Sequence, residues 1–212
     1  MTGIEKQSSR ADSLKAFKRQ HILAAAKRIF DMHGMDGLNM REIAKEAGYS
    51  LGAAYAYFRT KEEIQYELLA GALGELTRHI RSALSSANRT DETKQLAFTL
   101  FLAYFQDNPK ERQLLLFVLP DLGSAATKVP TQVRTALNSK LLALMGLLAN
   151  ELHQTGQISA VTAQEKTIDF VAFLLGLLML ENGGRLKLLN QQPQEIVDRH
   201  GKRMLLRNPK KE

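Results

Sequence analysis

Ser50 has the most direct claim to chemistry in this chain. It sits in Gly48-Tyr49-Ser50-Leu51-Gly52, which matches the G-x-S-x-G pattern of a hydrolase nucleophile. That chemistry needs a strand before the serine and a helix after it, so that the hydroxyl stands exposed on a strained turn. Here the preceding residues, Ile43-Ala44-Lys45-Glu46-Ala47, read as helix, so the strained turn is missing. His21, His33, His79, His153 and His200 show no ligand spacing among themselves, and there is no cysteine. No metal site, thiolate chemistry or disulfide is therefore expected. No G-x-x-x-x-G-K-[ST] phosphate loop is present either. The chain does not read as an enzyme and implies no cofactor. Ser50 has a second use, because its side-chain oxygen can cap the helix that follows.

The elements around Ser50 favour that second use. Residues 39–64, NMREIAKEAGYSLGAAYAYFRTKEEI, hold two short helical patterns joined by a turn at Ala47-Gly48-Tyr49. Asn39 with Glu42, and Thr60 with Glu63, have capping-box spacing. Gly48 stands where a helix must end in a positive φ. Two short helices about a Gly-containing turn suit a helix-turn-helix, whose second helix can enter the major groove. Ser50 to Tyr57 would lie in that groove, with Leu51, Gly52 and Ala53 as a small apolar leading turn able to touch thymine methyl groups. Tyr55 and Tyr57 would offer hydroxyls to phosphates. Lys61 would add its charge at a helix N-terminus, and Arg41 would meet the backbone from the other side. Ile43, Ala44, Ala47, Ala54 and Phe58 read as core beneath this face.

The segment closely resembles the DNA-binding motif of the TetR family of transcription regulators. The matching residues are Ile43-Ala44, Ala47-Gly48, Ser50, Gly52, Tyr55, Tyr57-Phe58, Lys61-Glu62 and Ile64. In detail the likeness covers roughly residues 14–70. The chain departs from the family's usual residues at Tyr49, Leu51 and Ala54, which bears on the DNA sequence read and not on the motif. The resemblance implies DNA contacts at Ser50, Leu51, Gly52, Ala53, Tyr55, Tyr57 and Lys61. It also implies a homodimer formed through the last two helices, and a small-molecule pocket in the remaining helical domain.

Composition is compatible with this. The chain has 212 residues, 44% of them hydrophobic, with a net charge of +7 and a pI near 9.6. A basic balance favours polyanionic partners. Lys6, Arg10, Lys15, Lys18 and Arg19 outweigh Glu5 and Asp12 ahead of the motif and read as a phosphate-seeking arm. A second basic cluster, Arg199 to Lys211, reads as a solvated helix end and tail. The N-terminus lacks an apolar signal core. The longest apolar run, Phe170 to Leu180, falls short of the roughly 20 residues of a membrane span. A cytoplasmic protein without membrane contact is expected.

No segment shows sustained period-2 alternation, so the expected fold is all-α with about nine helices. They fall at about 14–33, 40–47, 51–58, 61–84, 91–107, 109–119, 130–154, from Thr162 into the 180s, and 194–206. Residues 1–60 would form a three-helix DNA-binding head with its basic arm, and residues 61–212 a helical ligand-binding and dimerisation body. Candidate ligand walls are Phe101, Tyr104, Phe105, Phe117, Met145 and Phe170, which imply a hydrophobic or aromatic effector. His153 and Glu181 are candidate polar anchors. Candidate dimer contacts are Phe173, Gly176, Leu177 and Leu178. The expected function is a ligand-responsive homodimeric repressor on a palindromic double-stranded operator. The alternative is an architectural DNA-binding protein with the same head and no inducer.

Overall fold

The computed structural model describes residues 3–86, 96–122, 128–156 and 158–205, and among these it is helical without a strand. Ten α-helices follow in order: α1 (Gly3–Gly37), α2 (Met40–Glu46), α3 (Leu51–Tyr55), α4 (Lys61–Ser86), α5 (Leu96–Asp107), α6 (Pro109–Val118), α7 (Thr131–Gly156), α8 (Ala160–Asn182), α9 (Arg185–Leu188) and α10 (Pro193–Leu205). A short 3₁₀ turn, Leu119–Asp121, follows α6. The expected turn at 85–89 and the start of a helix at 91 fall largely outside the described residues, as does the end of the loop at 120–124.

Two compact units emerge. The first comprises Met1–Leu69 with Phe117–Leu137, the second Ala70–Leu116 with Asn138–Glu212. The division falls inside α4, after Leu69, and the first unit includes the beginning of α7.

In the first unit, α1 begins well before Leu14. The residues from Glu5 to Arg19 include no proline and are rich in good helix formers, so nothing delays the helix. The basic arm is therefore the opening of α1. Gly34 does interrupt this helix, with φ 66° and ψ −152°, but helical geometry resumes and runs to Gly37. Ile22, Ala25, Ala26 and Phe30 of α1 are buried in this unit, as are Ile43 and Ala44 of α2.

In the second unit, Phe98, Phe105, Phe170 and Leu174 are fully enclosed. The Phe98 and Phe170 rings lie 4.4 Å apart, and Phe101 and Phe105 meet edge-on at 5.2 Å. Ser159, not Thr162, opens α8. Its Oγ accepts the Thr162 N–H at 3.1 Å, so Thr162 stands one turn inside the helix. The tenth helix, beyond the nine expected, is the single turn α9.

Candidate nucleic-acid interface

Every boundary of the Ser50 region is closed by a side chain or by a backbone motif. Asn39 Oδ1 accepts the Glu42 N–H at 2.9 Å and opens α2. At the other end Tyr49 N–H reaches Ala44 O at 2.8 Å and Gly48 N–H reaches Lys45 O at 3.0 Å. This pair of bonds is a Schellman motif, and it requires the positive φ of Gly48, 70°. Ser50 then adopts an extended backbone, and its Oγ accepts the Ala53 N–H at 3.2 Å. A good N-cap contributes about 1 kcal/mol. A helix of five residues is marginal without such help.

The Ser50 oxygen is thus occupied as an acceptor, while its hydroxyl proton remains available to donate outward. The segment before it is helix, so the strand needed for a serine nucleophile is not there.

One side of α3 holds it to the protein and the other is open. Ala54 and Phe58 are fully buried, and Ala47 is 6% exposed. Ser50, Leu51, Gly52 and Tyr55 are exposed, and Ala53 and Tyr57 are half-buried. A Cβ built on Gly52 would meet nothing within 4 Å. Arg41 on α2 and Lys61 at the first position of α4 are exposed. The Tyr49 ring packs edge-on against His21 at 6.0 Å, and His21 Nε2 lies 3.2 Å from Ala47 O. Arg28 of α1 donates from Nε to Glu46 at 2.7 Å, a second tie between α1 and α2.

The joint between α3 and α4 carries a feature that sequence reasoning missed. Arg19, counted above among the basic arm, turns inward. Its Nη2 donates to Glu63 Oε1 at 2.6 Å, its Nη1 pairs with Glu67, and its guanidinium lies 4.1 Å over the Phe58 ring. Glu63 and Glu67 stand one helical turn apart, the spacing that lets two carboxylates reach one cation, and this was the available signal.

The residues named for effector binding divide. Phe101, Phe105 and Phe170 are buried and Met145 is half-buried. Tyr104 packs edge-on against Phe105, and its hydroxyl donates to Ala72 O at 3.3 Å. Burial, reinforced by Glu75 and Glu111, pushes its pKa well above the ordinary tyrosine value. Phe117 lies in the first unit and is 55% exposed, so it does not join the others. His153 is exposed, with Nδ1 2.6 Å from Ile158 O. Glu181 is already engaged, by Gln106 Nε2 at 3.2 Å and by Arg112 at 3.7 Å. It borders a cavity of about 300 Å³ together with Leu186, Lys187 and Gln191.

The residues named for dimerisation divide too. Leu177 and Leu178 are buried within their own chain, and Phe173 stacks on His200 at 3.8 Å. Of the four, only Gly176 is exposed. The open face of α8 instead presents Val161, Ile168, Met179 and Leu180, between 42% and 65% exposed, with Ala172 and Gly176. Among the described residues no helix is long and apolar enough to cross a membrane, and no cluster of His, Asp or Glu could hold a metal ion.

Comparison with known proteins agrees with this geometry. Residues 22–68 match the family model of bacterial regulatory proteins, tetR family. An HTH-type transcriptional regulator of Staphylococcus aureus (strain USA300) is 28% identical over 90 residues, which is 42% of this chain and 49% of that protein. The chain thus spans about half the length of the curated relatives it matches. Among solved structures, Thermus thermophilus FadR, a TetR family transcriptional repressor in complex with lauroyl-CoA, aligns with a TM-score of 0.62 at 20% identity, covering 92% of this chain and 98% of that one. Bacillus subtilis FadR in complex with stearoyl-CoA aligns with a TM-score of 0.61 at 14% identity, covering 88% and 97%. These alignments establish a shared fold. The matched family is one of regulators rather than enzymes.

Proposed function

We propose that this chain, whose residues 22–68 match the tetR family of bacterial regulatory proteins, is a ligand-responsive homodimeric repressor that binds a palindromic operator. One observation carries the reading. The exposed face of α3, Ser50, Leu51, Gly52 and Tyr55, is flanked by exposed Arg41 and Lys61 and rests on the buried Ala54 and Phe58. Small apolar groups at the leading turn allow close approach to base edges, while hydroxyls and cations at the flanks take phosphates.

One such head is too small for tight specific binding, and two heads would span half-sites about 34 Å apart. The partner we propose is a second copy, seated on the open face of α8. Val161, Ile168, Ala172, Gly176 and Met179 recur there at helical spacing, and the exposed glycine permits close approach of a second helix.

The proposed effector is a hydrophobic molecule, with a long-chain acyl-CoA as the first class to test. Two lines support it: the aromatic group of Phe98, Phe101, Phe105 and Phe170, and the acyl-CoA complexes of the FadR proteins that share this fold. The ligand must prefer one spacing of the paired heads over the other, or DNA release does not follow.

The test is a footprint on DNA upstream of the chain's own gene, followed by titration of that duplex at several salt concentrations. A two-fold symmetric site and a steep salt dependence are expected. Release by lauroyl-CoA or stearoyl-CoA supports the effector class. Insensitivity to any small molecule would favour an architectural DNA-binding role. A monomer that ignores every duplex at low ionic strength refutes the whole reading.

A further inference from the structure

We infer that Arg19 is a positioning residue for DNA recognition: it locks α1 to the joint between α3 and α4 and so fixes where Tyr57 and Lys61 stand relative to the leading turn of α3. The inference rests on the reading of α3 as the DNA-facing helix.

The last three residues of the joint, Phe58, Arg59 and Thr60, are each held by a member of the Arg19 cluster. The Arg19 guanidinium lies 4.1 Å over the Phe58 ring. The same guanidinium donates to Glu63 Oε1 at 2.6 Å, and Glu63 Oε2 accepts the Arg59 N–H at 3.0 Å. The Glu63 N–H in turn donates to Thr60 Oγ1 at 3.2 Å. Glu67, one turn further along α4, takes the second arm of the guanidinium. Lys61 follows these three residues directly and Tyr57 precedes them, so both proposed phosphate contacts are carried on this clamp.

Burial separates this cluster from an ordinary surface pair. The Glu63 side chain is 6% exposed, and those of Glu67 and Arg19 are 20% and 27% exposed. Removing the cation would leave two carboxylates largely enclosed and unpaired. A lysine could not replace it fully. An ammonium is a point charge that cannot serve two carboxylates in a fork while lying flat on a ring. Arg19, Glu63, Glu67, Tyr55 and Tyr57 also border one cavity of about 650 Å³, which leaves the joint room to move once the clamp is broken.

The cluster holds two carboxylates against one guanidinium, an excess of negative charge carried by a domain that meets a polyanion. On charge alone, neutralising Glu67 would strengthen DNA binding. If the clamp positions the joint, neutralising Glu67 weakens specific binding instead. That opposition of sign makes the test.

The experiment measures affinity of the full chain for its footprinted duplex and for an unrelated duplex, across a salt series, in wild type, Arg19→Ala, Arg19→Lys, Glu67→Gln, Lys61→Ala and the Arg19→Ala, Lys61→Ala double variant. Arg19→Ala should lose specific affinity by at least about tenfold, with Arg19→Lys recovering part of it. Glu67→Gln should also lose specific affinity, although the protein has become more positive. The slope of log affinity against log salt should be the same in Lys61→Ala and in the Arg19→Ala, Lys61→Ala double variant, because Arg19 itself touches no phosphate. Circular dichroism at the assay temperature checks that each variant is folded. Should Arg19→Ala fail that check, Glu67→Gln decides alone. Specific binding by Glu67→Gln as tight as wild type, or tighter, overturns the inference. A further fall of about one in the salt slope when Arg19→Ala is added to Lys61→Ala overturns it as well, since Arg19 is then itself a phosphate contact. A wild type that binds no duplex refutes the DNA reading, and the inference goes with it.

Discussion

Gly52→Ala should raise the thermal stability of this protein and weaken its hold on DNA at the same time. Gly52 is the second residue of α3, is exposed, and has nothing within 4 Å of the position a Cβ would take. Inside the folded chain a methyl group there costs nothing. It removes the conformational freedom of glycine from the unfolded state, which stabilises a helix by roughly 0.5–1 kcal/mol, with the low end apt for a first-turn position. For a chain of this size that raises Tm by about 1–4 °C. On DNA the same methyl intrudes where the backbone is proposed to approach base edges. Overpacking by one methyl in a close contact costs about 1–3 kcal/mol. That corresponds to roughly 5- to 150-fold in affinity per head. Thermal melting followed by circular dichroism gives the first quantity, and fluorescence anisotropy with the footprinted duplex gives the second. Gly71→Ala is the control, since Gly71 is also exposed in a helix with open space at its Cβ but belongs to the second unit. It should gain stability and leave DNA binding unchanged. If Gly52→Ala melts higher and binds as well as wild type, Gly52 does not approach the duplex and the assigned recognition face is wrong.

Lys61→Ala should weaken binding equally on all duplexes and lower the salt slope by about one, whereas Ala53→Ser should alter which sequence is preferred; salt titrations on a panel of duplexes distinguish them. Ile168→Glu places a charge on a residue that is 59% exposed, so it should leave the chain folded but turn the proposed dimer into a monomer, as read by sedimentation. His200 stacks on Phe173, its Nε2 is enclosed with no hydrogen-bond partner among the described residues, and burial, aided by Arg203, lowers its pKa below the ordinary 6.5. The unfolded chain therefore takes up this proton more readily than the folded one. The associated stability is present above the unfolded value and is lost as pH falls below 6.5 toward the folded value. Denaturant midpoints measured across that window should fall in wild type and fall less in His200→Gln.

Local signals in the sequence were readable, and non-local ones were not. The caps at Asn39, Ser50 and Thr60 and the turn at Gly48 depend on neighbours within a few residues, so a short stretch of chain contains all of their physics. Ser159 and Thr162 each offer a capping oxygen, and only the backbone decides that Ser159 is used. Arg19 could not be placed from sequence because its partner Glu63 lies 44 residues away, and an isolated reading assigns any arginine in a basic stretch to solvent. The open face of α8 was hard to read for another reason. From Phe170 to Leu180 helix α8 is apolar on every side, so composition gives no phase to separate the face turned inward, Leu174, Leu177 and Leu178, from the face turned outward, Met179 and Leu180. Phe117 shares only its residue type with the other candidate wall aromatics, and in the structure it is mostly exposed.

The brevity of α3 has a consequence for the history of this protein. Five residues, anchored by one cap, one preceding turn and one enclosed methyl group at Ala54, leave the outward side chains with almost no duty toward folding. Descendants can exchange those side chains one at a time without first acquiring compensating changes elsewhere. On the proposed function, a duplicated copy of the gene could drift to a new set of target sites while the rest of the molecule stays as it is.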